Sequence, residues 1–597
     1  MPLSKNEFLV LREIVLHPSC AQRKIVEATG LSLGSVNSAA KSLTAAGLIA
    51  DGEPTEAGTA ALAPYRVENA VILAAGLSSR FAPISYEKPK GLLKVRGEVL
   101  VERQIEQLLA AGITDITVVV GYKKEYFFYL EDKFGVSIVV NPDYASRNNS
   151  SSIKRVEDRL GNTYICSSDD YFAENPFEPF VYRAYYAAVY AEGETEEYCL
   201  KCNRRGRITG VTVGGHDAWC MLGHVYFDRA FSSKFVQILR AEYNQQVTRE
   251  HLWEDLYIRY IGELEMYIRR YDAEKIKEFD SLDELRAFDD KYVGDSGSAI
   301  FRNICGVLGC TENEIHDIHP IKTGMTNLSF RFTCRGEKYV YRHPGVGTDA
   351  YINRRSEASS MEAARRLGLD DTYIYMDEAE GWKLSRYIED ARTLDYHDEQ
   401  QVTQALAMLR RLHESGEQTA YPFDAWGEIQ GFEESLRRFN RADFEDMQQM
   451  RDGIARLRAH LEADGTPVRL CHCDSYAPNF LLDRADKMYL IDWEYSGMSD
   501  PAWDIGTFIA CADYTMDEAD GIIRRYMGRE PSREELRHHL GYVAVASFYW
   551  FLWALYQDCV GKSVGSYLYI WYRYTKSYSA RALALYEDGQ SEKETNA

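Results

Sequence analysis

Within its 597 residues this chain carries two separate phosphate-handling signatures, each of which needs a loop framework of its own, so it has to fold as several domains. The first is Leu73-Ala74-Ala75-Gly76-Leu77-Ser78-Ser79-Arg80, closing an apolar run, with Lys88-Pro89-Lys90-Gly91 shortly after. A glycine-rich turn leaving a buried strand brings backbone N–H groups against a phosphate with no Cβ in the way. Leu73, Ala75, Gly76, Ser78 and Ser79 are the expected cradle, and Arg80 adds a fixed cation. Lys90 is expected to balance charge developing at the α-phosphate under attack. Further on, Asn162-Thr-Tyr-Ile-Cys-Ser-Ser-Asp169-Asp170 ends a strand in two acids. A carboxylate there is placed to hold Mg²⁺ between nucleotide phosphates, with Asp169 ahead of Asp170; a helix cap is the alternative.

The second signature is His472-Cys473-Asp474-Ser475-Tyr476-Ala477-Pro478-Asn479, followed by Ile491-Asp492-Trp493-Glu494. In this pattern Asp474 accepts the proton of a substrate hydroxyl as it attacks the γ-phosphate of ATP. Asn479 and Asp492 hold Mg²⁺ on the ATP phosphates.

A net charge of −22 excludes general binding to nucleic acid or anionic membrane, which needs clustered Lys and Arg. No leader pattern opens the chain, and the most apolar run, 547–556, is half the ~20 residues that span a bilayer. The 12 cysteines form no zinc or disulfide framework, Cys199-x-x-Cys202 and Cys471-x-Cys473 being the close pairs. A cytoplasmic protein with no membrane segment is expected.

Residues 1–66 pattern as three short helices and a small hairpin, with Gly30 and Gly47 as terminators and Ser32 as a cap. This region resembles the winged helix-turn-helix of the MarR-like class, whose third helix enters the major groove. Six basic and six acidic side chains balance there, so DNA binding and a dimerisation or docking role both stay open. Residues 67–292 alternate strands and helices, as in a doubly wound α/β domain with a parallel sheet. A linker is expected over 292–298. Residues 299–585 show a small β-rich lobe before a long helical one, a two-lobed, kinase-like α+β layout.

The central region resembles the LicC-type phosphocholine cytidylyltransferases, within the sugar-nucleotide transferase fold. The likeness rests on the glycine turn, Tyr86-Glu-Lys-Pro-Lys-Gly-Leu-Leu-Lys-Val95, Glu102-Arg103-Gln104-Ile105, Gly121-Tyr122, Asn148-Asn149 and Leu252-Trp253-Glu254-Asp255. It implies CTP as nucleotide, phosphocholine as acceptor, and Gly121 at the nucleotide. It also implies Trp253 at the substrate, with Glu254 or Asp255 as second metal ligand. Ser167 stands where the family pattern would put an acid two residues before Asp169.

The C-terminal region resembles choline/ethanolamine kinases and, more distantly, aminoglycoside phosphotransferases. Gly324-Met325-Thr326-Asn327 is similar to the family's phosphate-covering loop, placing Thr326 and Asn327 at the nucleotide. Arg342 stands where protein kinases have a strand lysine, with Glu357 as its helix partner ahead of Glu362. Quaternary ammonium groups are held by aromatic faces, and Trp550, Trp553, Tyr556, Trp571 and Tyr574 crowd one stretch. Trp493, Glu494 and Tyr495 lie beside the metal aspartate, and Trp553-x-x-x-Gln557 resembles the helix lining the amine pocket. Asp504 is expected to support the catalytic loop. Together the resemblances imply choline to phosphocholine with ATP, then to CDP-choline with CTP, for decoration of a surface glycan. The alternatives are ethanolamine or another aminoalcohol, an aminoglycoside-type kinase, and a DNA-binding regulator sensing choline or nucleotides.

Overall fold

The computed structural model describes residues 3–279, 281–292, 296–321, 327–345, 352–560 and 565–595. Thr326, with Gly324 and Met325, and part of the expected linker lie outside the described residues. The chain divides into two compact units, Met1–Asn313 and Glu314–Ala597.

The first unit opens with α1 (Lys5–Leu16), α2 (Gln22–Thr29) and α3 (Leu33–Ala45). Ser4 and Glu7 close a reciprocal capping box on α1, and the Ser32 hydroxyl accepts from the Ser35 N–H at 3.1 Å to start α3. Ile49–Ala50 and Glu53–Pro54 pair as the small wing. This module is seated on the domain that follows it. Phe8 of α1 packs against Tyr65 and Tyr182, and the Tyr182 hydroxyl donates to the Leu3 carbonyl at 3.2 Å. Asn162 donates to both the Pro64 and Arg66 carbonyls at 2.9 Å.

A seven-stranded sheet follows: β1 (Asn69–Ala74), β2 (Ile116–Val120), β3 (Ser137–Val140), β4 (Thr163–Ser167), β5 (Tyr185–Cys202), β6 (Ile208–Phe227) and β7 (Tyr267–Tyr271). Their spatial order is β7-β5-β6-β4-β1-β2-β3. The β-branched runs read in the sequence form the parallel part, β4-β1-β2-β3, and β6 runs against both its neighbours. Continuous burial of β1 and β2 fits a sheet covered on both faces. One face packs on the helix Leu100–Ala110, the other on Arg229–Glu242 and Trp253–Arg259. The helix Ala299–Leu308 also belongs to this unit, the Glu87 carboxylate accepting from the Ser298 hydroxyl and the Ile300 N–H at its start.

In the second unit β8 (Ile315–Ile321), β9 (Leu328–Cys334), β10 (Glu337–His343), β11 (Tyr373–Met376) and β12 (Lys383–Arg386) form one antiparallel sheet, ordered β8-β9-β10-β12-β11. The helix α4 (Arg354–Arg366) comes between β10 and β11 in the chain. A helical lobe follows, and its core element is Arg533–Cys559, buried on nearly every face from His538 to Leu555. An apolar perimeter of this kind marks a helix enclosed by its neighbours. Among the described residues no helix is long and apolar enough to cross a membrane.

The winged helix is tied to the sheet through one shared carboxylate. Glu178 accepts from Arg12 of α1 at 3.1 Å and from Arg269 of β7 at 2.7 Å. Burial pushes the Glu178 carboxyl up, but the two guanidiniums hold it below its ordinary range. Its contribution is therefore fully present above the unfolded carboxyl range near pH ~4.3 and is lost as pH falls through the folded value. Glu178→Ala leaves Arg269 without its carboxylate, whereas Arg12 keeps Glu13 at 2.9 Å, and is expected to destabilise the unit by about 2 kcal/mol, read as a lower melting temperature at pH 7. The difference from wild type should shrink below pH ~4.

Candidate active sites

In the first unit a cavity of about 750 Å³ opens at the carboxyl ends of β1 and β4. Leu73, Ala75, Gly76, Ser78, Ser79, Arg80, Lys90 and Asp169 all line it, so the turn, the lysine and the strand-end acid of the first signature do converge. Ser78 takes a left-handed φ of 51°, a conformation that costs a non-glycine residue energy and recurs where a loop is shaped around a ligand. The Lys90 ammonium lies 2.7 Å from Asp169 Oδ2. Its turn can lie this close because Gly91 has no side chain: a Cβ there would sit 2.7 Å from the Ser168 side chain. Gln104 of the helix Leu100–Ala110 donates to the Ser167 and Asp170 carbonyls, both at 2.8 Å, and so fixes the strand end that carries Asp169.

The two adjacent acids are driven apart electrostatically. Burial works against charge on Asp169, yet the Lys90 ammonium holds its carboxyl below the usual range. Asp170 is pushed well above that range by burial, Glu278 and Asp169, and both its oxygens are buried with no hydrogen-bond partner. Glu278 is the residue that sequence reasoning missed. It lines the cavity because the short strand Ile276–Glu278 pairs with Asp170–Phe172, setting Glu278 opposite Asp170. A lone glutamate in a three-residue strand carries no motif, so its place is visible only in the pairing.

Other residues implied by the resemblance fall off the cavity wall. Gly121 is a packing glycine, since a Cβ would come within 2.7 Å of the Ala75 carbonyl and 2.8 Å of Tyr144. The Trp253 indole is 2% exposed, stacked on Tyr186 and edged by Phe227 and Phe235, which makes it core rather than substrate surface. Asp255 caps its own helix, accepting from the Leu252 N–H at 2.8 Å and from the Tyr198 hydroxyl at 3.2 Å. Glu254 is held by Tyr186 and by Asn149, a wall residue, and burial raises its carboxyl to about 7.

In the second unit the loop 471–479 is built on Asp504, at the start of the helix Ala502–Ala510. Its carboxylate accepts from the His472 and Cys473 N–H groups at 2.8 and 2.7 Å and contacts His413 Nε2 at 2.9 Å. Trp503 Nε1 donates to the Cys473 carbonyl, and the Ser475 hydroxyl to the Asp504 carbonyl. His472 lies 2.8 Å from the Ile491 carbonyl through Nε2, joining the loop to the strand end before Asp492. Cys473 and Asp492 both have left-handed φ, at 66° and 63°. Asn479 donates to Asp474 Oδ2 at 3.0 Å and to its carbonyl at 2.8 Å, which leaves its amide oxygen for another partner. Burial and then Asp492 push the Asp474 carboxyl well up.

Arg342 of β10 and Glu357 of α4 meet at 2.6 Å, both almost fully enclosed. Burial opposes charge on Glu357, but Arg342 brings its carboxyl down to about 2. Asn327 donates to Glu494 at 3.0 Å, and burial with Asp492 raises Glu494 to about 7. Trp550 has Trp553, Trp571 and Tyr495 around it, with ring centres 5.6, 6.2 and 6.3 Å away. Gln557, one turn after Trp553, is half-buried. Trp493 leaves this group: it is fully buried, its Nε1 donating to the Leu490 carbonyl at 2.9 Å while the ring packs on His472.

Three family models match in sequence order: the MarR family over residues 1–57, the MobA-like NTP transferase domain over 70–171, and the phosphotransferase enzyme family over 317–539. The 2-aminoethylphosphonate cytidylyltransferase of Lancefieldella rimae is 36% identical over 229 residues, covering 38% of this chain and 93% of that one. The choline-phosphate cytidylyltransferase of Streptococcus pneumoniae is 33% identical over 221 residues, covering 37% and 96%. This chain belongs to the cytidylyltransferase family. Protein LicA of Haemophilus influenzae is 28% identical over 254 residues, covering 41% of this chain and 94% of LicA. The cytidylyltransferase is thus joined to a phosphotransferase domain of the kinase type, behind a MarR-like winged helix.

Asp504→Ala would leave two buried N–H groups and His413 without their acceptor. It is expected to destabilise the second unit by about 3 kcal/mol or more, measured by chemical denaturation. An unchanged unfolding midpoint would show that the loop is held by other contacts.

Proposed function

We propose that this chain makes CDP-choline in two steps, phosphorylating choline with ATP and then transferring a cytidylyl group from CTP to the phosphocholine, with release of pyrophosphate. The observation that carries the reading is the pairing, on one chain, of the Asp474–Asn479–Asp492 group with the Lys90–Asp169 cavity. The product of an alcohol kinase is the phosphomonoester that a nucleotidyltransferase consumes.

In the kinase step Asp474 takes the proton of the choline hydroxyl, and Arg342, fixed by Glu357, places positive charge on the ATP phosphates. Thr326 and Asn327 are assigned to the loop covering those phosphates. The ring group of Trp550, Trp553, Trp571 and Tyr495, with Gln557, is assigned to the trimethylammonium head, which has no N–H to donate. In the second step the Leu73–Arg80 turn holds the CTP phosphates, and Lys90 faces the α-phosphate as the phosphocholine oxygen attacks. The donor sets suit Mg²⁺, a hard ion that takes oxygen ligands: Asn479 and Asp492 in one site, and Asp169 with Glu278 beside the partnerless Asp170 in the other. When bound there the ion would neutralise phosphate charge. Twelve cysteines scattered without a disulfide framework suit a reducing cytoplasm.

A second reading of the acceptor has its own support. Among the described residues the cavity wall offers Phe81, Phe127 and Tyr144 as rings but Asp169, Glu250 and Glu278 as acids, a lining that also suits a primary ammonium such as that of 2-aminoethylphosphonate or phosphoethanolamine. For the winged helix, the acidic wing tip Asp51-Gly52-Glu53 and the seat on Glu178 favour a docked module over a DNA reader.

Phosphorus NMR of the protein with choline, ATP, CTP and Mg²⁺ should show phosphocholine and then CDP-choline. Phosphocholine accumulating without CDP-choline would redirect the second site to another acceptor, to be found by supplying the two primary amines. Asp474→Ala should remove choline phosphorylation, by at least about a thousandfold, and spare cytidylyl transfer to supplied phosphocholine. Lys90→Ala should do the reverse. Loss of both activities in either folded variant would refute two independent sites.

A further inference from the structure

Lys383 has no place in either signature, yet it stands inside the phosphotransferase site. It begins β12, and the sheet register sets it directly opposite Arg342 on β10, so two cations lie side by side. Its ammonium is 3.7 Å from Glu357 Oε1 and 3.9 Å from Asp492 Oδ1, and its side chain is only 13% exposed. Burying an ammonium is costly unless an anion faces it, and the anions facing this one already have other cations. Arg342 holds Glu357 at 2.6 Å and reaches Asp492 at 3.5 Å, while Arg354 lies 3.4 Å from Glu357. Three cations, Arg342, Arg354 and Lys383, therefore share one enclosed network with three carboxylates, Glu357, Asp492 and Glu494, the last 3.8 Å from Arg342. Lys383 and Arg342 thus reach Asp492 from adjacent strands, where the triphosphate of ATP is expected.

We propose that Lys383 is a positioning residue of the kinase site, a second cation that orients Asp492 and helps Arg342 receive the ATP phosphates. This rests on the kinase reading given above. Lysine suits the place because its compact ammonium, on a flexible stem, can pass from a carboxylate to a phosphate oxygen without the planar fork that commits Arg342 to Glu357. With nucleotide bound, Lys383 would leave Asp492 free to hold the ion and would itself face a phosphate oxygen. The charge acts on the nucleotide, not on the amine, and this separates it from a residue that merely holds the fold.

The test compares wild type with Lys383→Met, which keeps the stem and removes the charge, and Lys383→Arg, which restores a cation. Binding of a non-hydrolysable ATP analogue with Mg²⁺ is titrated on the full chain, with saturating CTP to fill the other nucleotide site. Lys383→Met should bind about tenfold more weakly and Lys383→Arg within about threefold of wild type. In turnover, the KM for ATP should rise about tenfold in Lys383→Met while that for choline stays the same. Binding by Lys383→Met within about twofold of wild type, or an equal rise in the two KM values, would overturn the proposal. Wild type that binds the analogue but does not phosphorylate choline would overturn the amine reading and leave Lys383 to be judged by the binding series. Failure of wild type to bind the analogue would overturn both.

Discussion

A carboxylate enclosed by protein survives as an anion only where cations or N–H groups replace the water it has lost, and both units are organised around such groups. Asp504 receives two backbone N–H groups and His413, and so fixes the loop that presents Asp474 and Asn479. Glu357 anchors Arg342 between the sheet and α4. Asp169 is held ionised by Lys90, and Glu178 ties α1 to β7. In each case the acid and its partner come from different elements, 15 residues apart for Arg342 and Glu357 and farther for the others. The pairing that offsets burial therefore also fixes how those elements pack.

The same economy appears in the backbone. Ser78, Cys473 and Asp492 adopt left-handed φ values, and all three lie in the loops that carry the two sequence signatures. The surrounding hydrogen bonds hold these conformations: Trp503 and Asp504 on either side of Cys473, and His472 against the Ile491 carbonyl before Asp492.

Local chemistry made much of this readable. Asp474, Asn479 and Asp492 sit within one short stretch, and Gly76, Arg80 and Lys90 within another, so spacing alone exposes them. Aromatic residues read less well, because a ring at helical spacing serves a core and a binding pocket equally. Trp550, Trp553 and Trp571 do form a ring group, although Trp550 and Trp571 are themselves buried, while Trp493 and Trp253 are enclosed more completely still. Asp255 was a plausible ligand until the helix it begins claimed its carboxylate as a cap.

By itself the sequence determined which chemistries are carried and in what order, because glycine turns, caps and short acid-bearing motifs act over a few residues. It also determined the parallel strands β1 to β4, since β-branched runs between helices have few other stable arrangements. Only the tertiary structure decided that Glu278 faces Asp170 and that Lys383 stands beside Arg342. It decided too that the winged helix rests on Glu178. These are register and packing outcomes between distant segments, and burial chooses among them only once the whole chain has folded.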